Sequence, residues 1–269
     1  MEYNATVLDK QVVADGLIII RVAPDDTPYS FEPGQYTVLG LLGREARVKE
    51  SDPEEPPPDP DKMIKRAYSL ASGSTEKELE FYIALVRSGA LTPRILALRE
   101  GDRVWVSSKP TGLFTLDSVP SDQGIVLVAT GTGLAPYMSM VRTHLTDECG
   151  RQRRWGVFHG AWKPWDLGYR SELEAWNRDC DNFVYLPTVD SPEGDRTWKG
   201  SIGRVHTFLE KEKFRGVFGE ELDPERQHFF LCGNPGMVEA ASAYLQSVGF
   251  SEWHKRKNPE GTIHLERYW

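Results

Sequence analysis

Several short stretches carry residue types that could do chemistry. In Ala129-Thr130-Gly131-Thr132-Gly133-Leu134-Ala135-Pro136, two glycines lie between an apolar run and a helix-like stretch. Glycines let a backbone approach a pyrophosphate, and the free amides at a helix start favour its charge. Pro136 suits the first helical turn, where an N–H has no partner anyway. It replaces the third glycine of the ordinary dinucleotide fingerprint, so a purely structural turn is the competing reading. Arg66-Ala67-Tyr68-Ser69 combines a phosphate-holding guanidinium, a ring that can lie on a flat ligand and a hydroxyl. An ordinary strand with its aromatic in the core explains it equally well. Thr92, after Gly89, can hold phosphate or cap a helix. Cys232-Gly233-Asn234-Pro235 closes an apolar run, and a cysteine there is either inert core or a ligand-edge thiol. The six histidines show no metal-ligand spacing, and no Ser/His/Asp arrangement stands out, so metal and hydrolytic chemistry are not expected.

The elements that must position these residues fall into two kinds. Up to about residue 118, β-rich runs at Val12–Val22, Tyr36–Leu42, Ala67–Ala71, Leu79–Val86 and Arg103–Val106 alternate with Gly, Pro and Asp turn signals. A single helix is predicted over Pro93–Arg99, capped by Thr92 and followed by Gly101. That pattern suits a small antiparallel β-barrel. From Gly124 onward, strands at Ile125–Ala129, Trp155–His159, Phe183–Val189 and His228–Cys232 alternate with helices. Those helices are predicted over Pro136–Leu145, Ser171–Asn177, Arg204–Lys213 and Met237–Val248, and a β-like run follows at Thr262–Leu265. This alternation predicts an α/β doubly wound parallel sheet, with ligands at the carboxyl ends of its strands. The loops at 130–136, 160–165, 190–203 and 233–236 would then share one rim. The expected domains are 1–118 and 119–269.

Composition bounds the rest. The chain has 269 residues, 39% of them hydrophobic, enough for a sizeable core. No apolar run approaches a membrane span, and the N-terminal stretch lacks a signal-peptide pattern. Net charge is −8, which argues against nucleic acid as a partner. Six of those charges lie in Glu50–Asp61, which also holds five prolines and no base, so an exposed, extended loop is expected. Cys149, Cys180 and Cys232 are too few for a disulfide framework or a four-thiolate cluster. A cytoplasmic monomer with reduced thiols is expected.

Taken in order, Phe31-Glu32-Pro33-Gly34-Gln35-Tyr36, Arg66–Ser69, Gly89–Thr92, Gly131–Pro136, Cys232–Pro235 and the terminal Trp269 resemble the ferredoxin–NADP⁺ reductase family. The similarity is strongest to its bacterial ferredoxin/flavodoxin branch, which ends in an aromatic residue. The resemblance implies an FAD-binding barrel followed by a nicotinamide-dinucleotide domain whose tail returns to the flavin. It implies that Arg66 and Ala67 hold the FAD pyrophosphate region, that Tyr68 lies on the isoalloxazine and that Ser69 reaches toward N5. Ile83, Ala84, Leu85, Ala90, Leu91 and Thr92 would line the adenine and phosphate end. Thr132, Gly133, Arg204, Gly233, Asn234 and Pro235 would hold NADP(H), Cys232 would approach the nicotinamide, and Trp269 would stack on the flavin. Ser69, Cys232 and Trp269 are thus the implied catalytic residues, for hydride exchange between nicotinamide and flavin. Single electrons would pass to a separate ferredoxin or flavodoxin.

Two departures qualify the nucleotide. Where the family pattern has His-x-x-Arg, this chain reads His159-Gly160-Ala161-Trp162, and Asp190-Ser191 stands where another arginine is expected. A 2′-phosphate is best held by forked arginine donors. Only Arg204 matches, with Lys163, Arg170 and Arg196 as possible substitutes, so NAD(H) is an alternative to NADP(H). An NADH-dependent reductase component of an oxygenase and a flavin-binding sensor without turnover are the competing functions. Glu50–Asp61 is an insertion relative to the family, and one expected role is tuning carrier docking by charge.

Overall fold

The computed structural model describes residues 2–267. The chain divides into two compact units, one of residues up to Thr115 plus Met138–Thr143, the other of Leu116–Tyr137 and the chain from His144 onward.

The first unit is an antiparallel sheet of β1 (Ala5–Ala14), β2 (Leu17–Pro24), β3 (Tyr36–Leu42), β4 (Met63–Ser69), β5 (Leu79–Ala84) and β6 (Arg103–Val106). Their order is β4-β3-β6-β1-β2-β5, and the edge strands β4 and β5 approach each other, giving a barrel. Its core is lined by alternate residues such as Val7, Ile18, Ile20, Leu39, Phe81 and Val104. The run Val12–Val22 is not one strand. Asp15 and Gly16, with φ +71° at the glycine, turn it into the β1–β2 hairpin. Helix α1 covers Thr92–Ala97, shorter than Pro93–Arg99, and its N-cap is Leu91 with no side-chain cap. The Thr92 hydroxyl instead accepts from Val86 N at 3.0 Å and donates to Val86 O at 3.2 Å.

The second unit is a parallel sheet of β7 (Gly124–Thr130), β8 (Trp155–Ala161), β9 (Phe183–Val189), β10 (Ser201–Ile202), β11 (Gln227–Gly233) and β12 (Ile263–Arg267). The order is β10-β9-β8-β7-β11-β12, so the winding direction reverses between β7 and β11. β7 and β11 are buried almost throughout, as continuous apolar runs require when both faces are covered. The helices are α2 (Ala135–Met140), α3 (Thr146–Glu148), α4 (Arg170–Asp179), α5 (Lys211–Phe218) and α6 (Pro235–Ser247), with α6 packed on β11 and α4 and α5 on β9. Phe158, Phe214, Phe218, Phe229 and Phe250 form one ring cluster beneath β7 and β11.

Two helix expectations change here. Residues 204–213 are a 3₁₀ turn, Val205–Leu209, followed by α5, because Glu210 is extended between them. Residues 136–145 are α-helical only to Met140 and continue as a π-helical turn, Val141–Leu145. The thiols also differ from a fully reduced set, since Cys149 and Cys180 form a disulfide with Cα atoms 5.4 Å apart, while Cys232 is a buried thiol outside that disulfide. The Asn182 amide explains the meeting. It donates to Glu148 O at 2.8 Å and Arg153 O at 2.7 Å, drawing the segment after α3 to the end of α4. No helix among the described residues is long and apolar enough to cross a membrane.

Candidate functional site

Within the barrel, the candidate flavin residues sit on β4 and on the segment after β5. Register pairs Tyr36 with Ser69, Thr37 with Tyr68, Val38 with Ala67 and Leu39 with Arg66. Arg66 and Ala67 are exposed and Ser69 is buried. The Arg66 guanidinium donates from Nη1 to its neighbour's carbonyl, Lys65 O, at 2.7 Å, which leaves most of its fork facing water. Tyr68 is half-buried against the barrel core. Burial pushes its phenol well above the usual tyrosine range and the Arg66 cation pulls weakly the other way. The phenol is therefore neutral at physiological pH, a packing and hydrogen-bonding group and not a base.

The adenine-end residues divide. Ile83 and Leu91 turn their side chains into the barrel core, at 2% and 1% exposure, so only their backbones can line a ligand. Ala84, Leu85, Ala90 and Thr92 are half-buried. The donor set suits FAD, with a water-facing guanidinium, a neutral phenol and a buried hydroxyl on one strand.

In the parallel-sheet unit, the loops after β7 and β11 are locked together backbone to backbone. Gly131–Leu134 is a 3₁₀ turn that runs directly into α2. A Cβ on Gly133 would lie 2.6 Å from the Cys232 carbonyl carbon and 2.7 Å from Gly233 N. Gly233, at φ +128°, would place a Cβ 2.6 Å from Thr130 O. Thr130 Oγ1 accepts from Asn234 N at 2.8 Å, and Asn234 Oδ1 caps α6 by accepting from Gly236 N at 2.9 Å and Met237 N at 3.4 Å. Pro235 occupies the first turn. These residues form one rim at the reversal point, where a doubly wound sheet binds its ligand. Thr132 is half-buried on that rim. Cys232 is fully buried, its Sγ 3.9 Å from Glu266 Oε2 on β12. Trp269 lies outside the described residues.

At the other end of the rim two of the four candidate cations, Lys163 and Arg170, are engaged. Lys163 Nζ donates to Ser191 Oγ at 2.7 Å and Glu193 O at 3.1 Å and lies 3.5 Å from the Glu193 carboxylate. Arg170 Nε donates to Glu174 Oε1 at 2.6 Å, and its guanidinium lies 4.9 Å from the Trp198 ring centroid. Arg196 is exposed. Arg204 is exposed and caps the 3₁₀ turn before α5. His206 feels it. Burial pulls the His206 pKa down and Arg204 adds to that, against the opposing pull of Asp190 and Glu210. Trp162, 63% exposed, stands beside them at the end of β8.

Residue-by-residue reading of the sequence missed Thr130, whose hydroxyl joins the two loops, and the Lys163–Ser191–Glu193 cluster. Thr130 was within reach, as the residue between an apolar run and a glycine loop. No spacing signal joins Lys163 to a residue 30 positions on.

Comparison with known proteins decides the family. Residues 127–243 match the family described as the oxidoreductase NAD-binding domain. The flavodoxin/ferredoxin–NADP reductase of Escherichia coli is 32% identical over 240 residues, 89% of this chain and 88% of that one. The chain belongs to the flavodoxin/ferredoxin–NADP reductase family. As a member of the family it is an oxidoreductase. A ferredoxin–NADP⁺ reductase from Neisseria gonorrhoeae, solved with bound FAD and NADP, has the same fold, at a TM-score of 0.80 and 22% identity, with 99% of this chain and 98% of that one covered. The reductase component DmpP of a phenol 2-monooxygenase from Pseudomonas is 34% identical over 82% of this chain, but only 55% of its own length.

Proposed function

We propose that this reductase takes a hydride from a nicotinamide dinucleotide held on the rim at β7 and β11 and passes single electrons to a separate ferredoxin or flavodoxin. The observation that carries the reading is the backbone-to-backbone lock of Gly133 on Cys232 and Gly233. It builds a smooth, amide-lined rim where the strand winding reverses. Bound FAD supplies the one group that can accept a hydride and release electrons singly.

The protein's own part is binding and orientation. Arg66 holds the FAD diphosphate with its free fork, and Tyr68 presents a neutral ring to the flavin. Ser69 offers a hydroxyl at the end of β4. Thr132, Gly133, Gly233, Asn234 and Pro235 hold the dinucleotide. Orientation of two flat rings, without a strong acid or base, is sufficient for hydride transfer. Three cysteines cannot make a four-thiolate cluster within these 269 residues, and in this reading the electrons leave for a separate carrier. The domains follow the chemistry, with 1–118 serving FAD and 119–269 serving the nucleotide.

A second reading, an NADH-dependent reductase of an oxygenase, is favoured by one specific observation. Lys163 and Arg170 are held by Glu193 and Glu174, and Asp190 stands near His206. Of the four candidate cations, a phosphate dianion would meet only Arg196 and Arg204 without a carboxylate already on them. Anaerobic mixing with NADPH and, separately, NADH, followed by flavin absorbance, tests both readings. Rapid bleaching by NADPH supports the first, and bleaching by NADH alone supports the second. No bleaching by either nucleotide in flavin-loaded protein overturns both.

A further inference from the structure

The acidic, proline-rich segment is not a free loop. Its ends are zipped by hydrogen bonds from Gly43 N to Lys62 O and from Arg44 N to Pro60 O, both 3.0 Å, and by an Arg44–Asp61 ion pair. Its middle is tied to the segment after β5 and to the first turn of α1. Val48 N donates to Pro93 O at 3.1 Å and Asp52 N to Arg87 O at 3.0 Å. Arg47 Nη2 reaches Arg87 O at 3.3 Å and Gly89 O at 3.4 Å, while its Nη1 holds Asp52 O at 2.7 Å. At the centre, Glu54 accepts both ends of the Arg94 fork, at 2.7 and 2.8 Å. The same guanidinium donates to Ala90 O at 2.6 Å and to Gly43 O at 2.6 Å.

Arg94 is only 2% exposed, and its carboxylate partner is largely covered. The Arg94 cation beside Glu54, with help from Arg47, holds that carboxyl below the usual range. A buried fork-on-fork pair is directional, so Glu54 fixes where the Arg94 Nη atoms point. Those atoms in turn fix the Ala90 carbonyl, as Arg47 fixes those of Arg87 and Gly89. In a trans peptide the N–H points opposite the C=O of the same plane. Holding the carbonyls of Arg87, Gly89 and Ala90 toward the acidic segment therefore turns the amides of Ser88, Ala90 and Leu91 the other way.

We propose that the segment from Gly43 to Lys62 is a strap, and that Glu54, acting through Arg94, is a positioning residue for the AMP half of FAD. The inference rests on the reading that residues 83–92 face that half of the cofactor. Of the seven acids in the strap, Glu54, buried in this pair, acts inward on the cofactor loop, Glu45 accepts from the Tyr3 hydroxyl at 2.6 Å, and the other five are exposed.

The test separates the two halves of the cofactor. Apoprotein is titrated with FAD and with FMN, which lacks the AMP half, and binding is read by flavin fluorescence. Glu54→Gln keeps the shape and one acceptor but loses the charge. It should raise the FAD dissociation constant about tenfold and leave that for FMN within about twofold. Hydrogen exchange on the same apoprotein should accelerate at 86–94 and stay unchanged in β1 and β2. Glu54→Asp, which retracts the carboxylate but keeps its charge, should give the same selective loss and serves if the glutamine variant does not fold. Equal loss of FAD and FMN would reduce Glu54 to a general stabiliser and overturn the proposal. So would unchanged FAD affinity. Wild-type protein that binds neither flavin would overturn the flavin reading itself, a result recognisable without any variant, and the strap's role would fall with it.

Discussion

Two glycines two residues apart in the same loop should respond to alanine very unequally. At Gly133 the added Cβ would stand 2.6 Å from the Cys232 carbonyl carbon and 2.7 Å from Gly233 N. Neither neighbour is a side chain that can swing aside. Carbon atoms need about 3.5 Å, so the turn must retreat by roughly 0.9 Å. Forcing a shift of that kind in a packed interior costs about 1–3 kcal/mol. In a unit of this size that lowers Tm by about 2–4 °C per kcal/mol. The retreat also moves the rim that holds the dinucleotide, and a displacement near 1 Å can cost about a hundredfold in rate. At Gly131 the backbone has φ +53°, but nothing lies within 4 Å of the new Cβ. Its cost is the left-handed conformation alone, about 1 kcal/mol. The assay is kcat/KM for nicotinamide-dependent reduction of an artificial acceptor, with Tm measured alongside. Gly133→Ala should lose roughly ten- to a hundredfold and Gly131→Ala less than about threefold. Equal losses, or a larger loss at Gly131, would refute the backbone lock as the basis of the site.

Three further outcomes are expected. Glu193→Ala removes the carboxylate beside Lys163 and should raise kcat/KM for NADPH relative to NADH by about three- to tenfold; an unchanged ratio would show that Lys163 does not face the ribose. Arg66→Met should release FAD on gel filtration while leaving the far-UV circular dichroism unchanged, and retention of full yellow colour would contradict its diphosphate role. Burial pushes His159, His228 and His264 down to about 3, 4 and 3, with Arg153 adding to the fall at His228 and His228 at His264. Because the folded values are depressed, the unfolded chain binds the extra protons, so their contribution is full above about pH 6.5 and shrinks as pH falls toward 4. At pH 5 the His159 imidazole then costs about 2 kcal/mol, and His159→Phe should flatten the thermal stability profile between pH 7 and 5 by about that amount.

How much of this was legible in the sequence depends on how far apart the partners lie. Tyr36–Leu42, Arg103–Val106 and Phe183–Val189 are strands with the bounds their patterns predict, because alternation or a continuous apolar run encodes burial locally. The β1–β2 hairpin was also written locally, in Asp15-Gly16, but two uninterrupted apolar flanks disguise it as one strand. The Thr92 cap failed for another reason, since the hydroxyl found Val86, six residues back, before it could cap its own helix.

The candidate site divides along the same line. Arg66–Ser69, Gly131–Gly133 and Cys232–Pro235 each announce themselves as motifs, yet none of them states what it touches. Gly233 needs its positive φ because it packs on Thr130, and Asn234 N donates to a hydroxyl 104 positions earlier. That contact exists because β11 inserts beside β7 and not beyond β10, a property of the sheet order and of no single stretch. The pairs Glu54–Arg94 and Cys149–Cys180, 40 and 31 residues apart, are likewise products of strand order and loop return. Local chemistry is therefore readable wherever one segment carries both the group and its reason. Where two segments share the reason, as in the rim and the strap, only the fold supplies it.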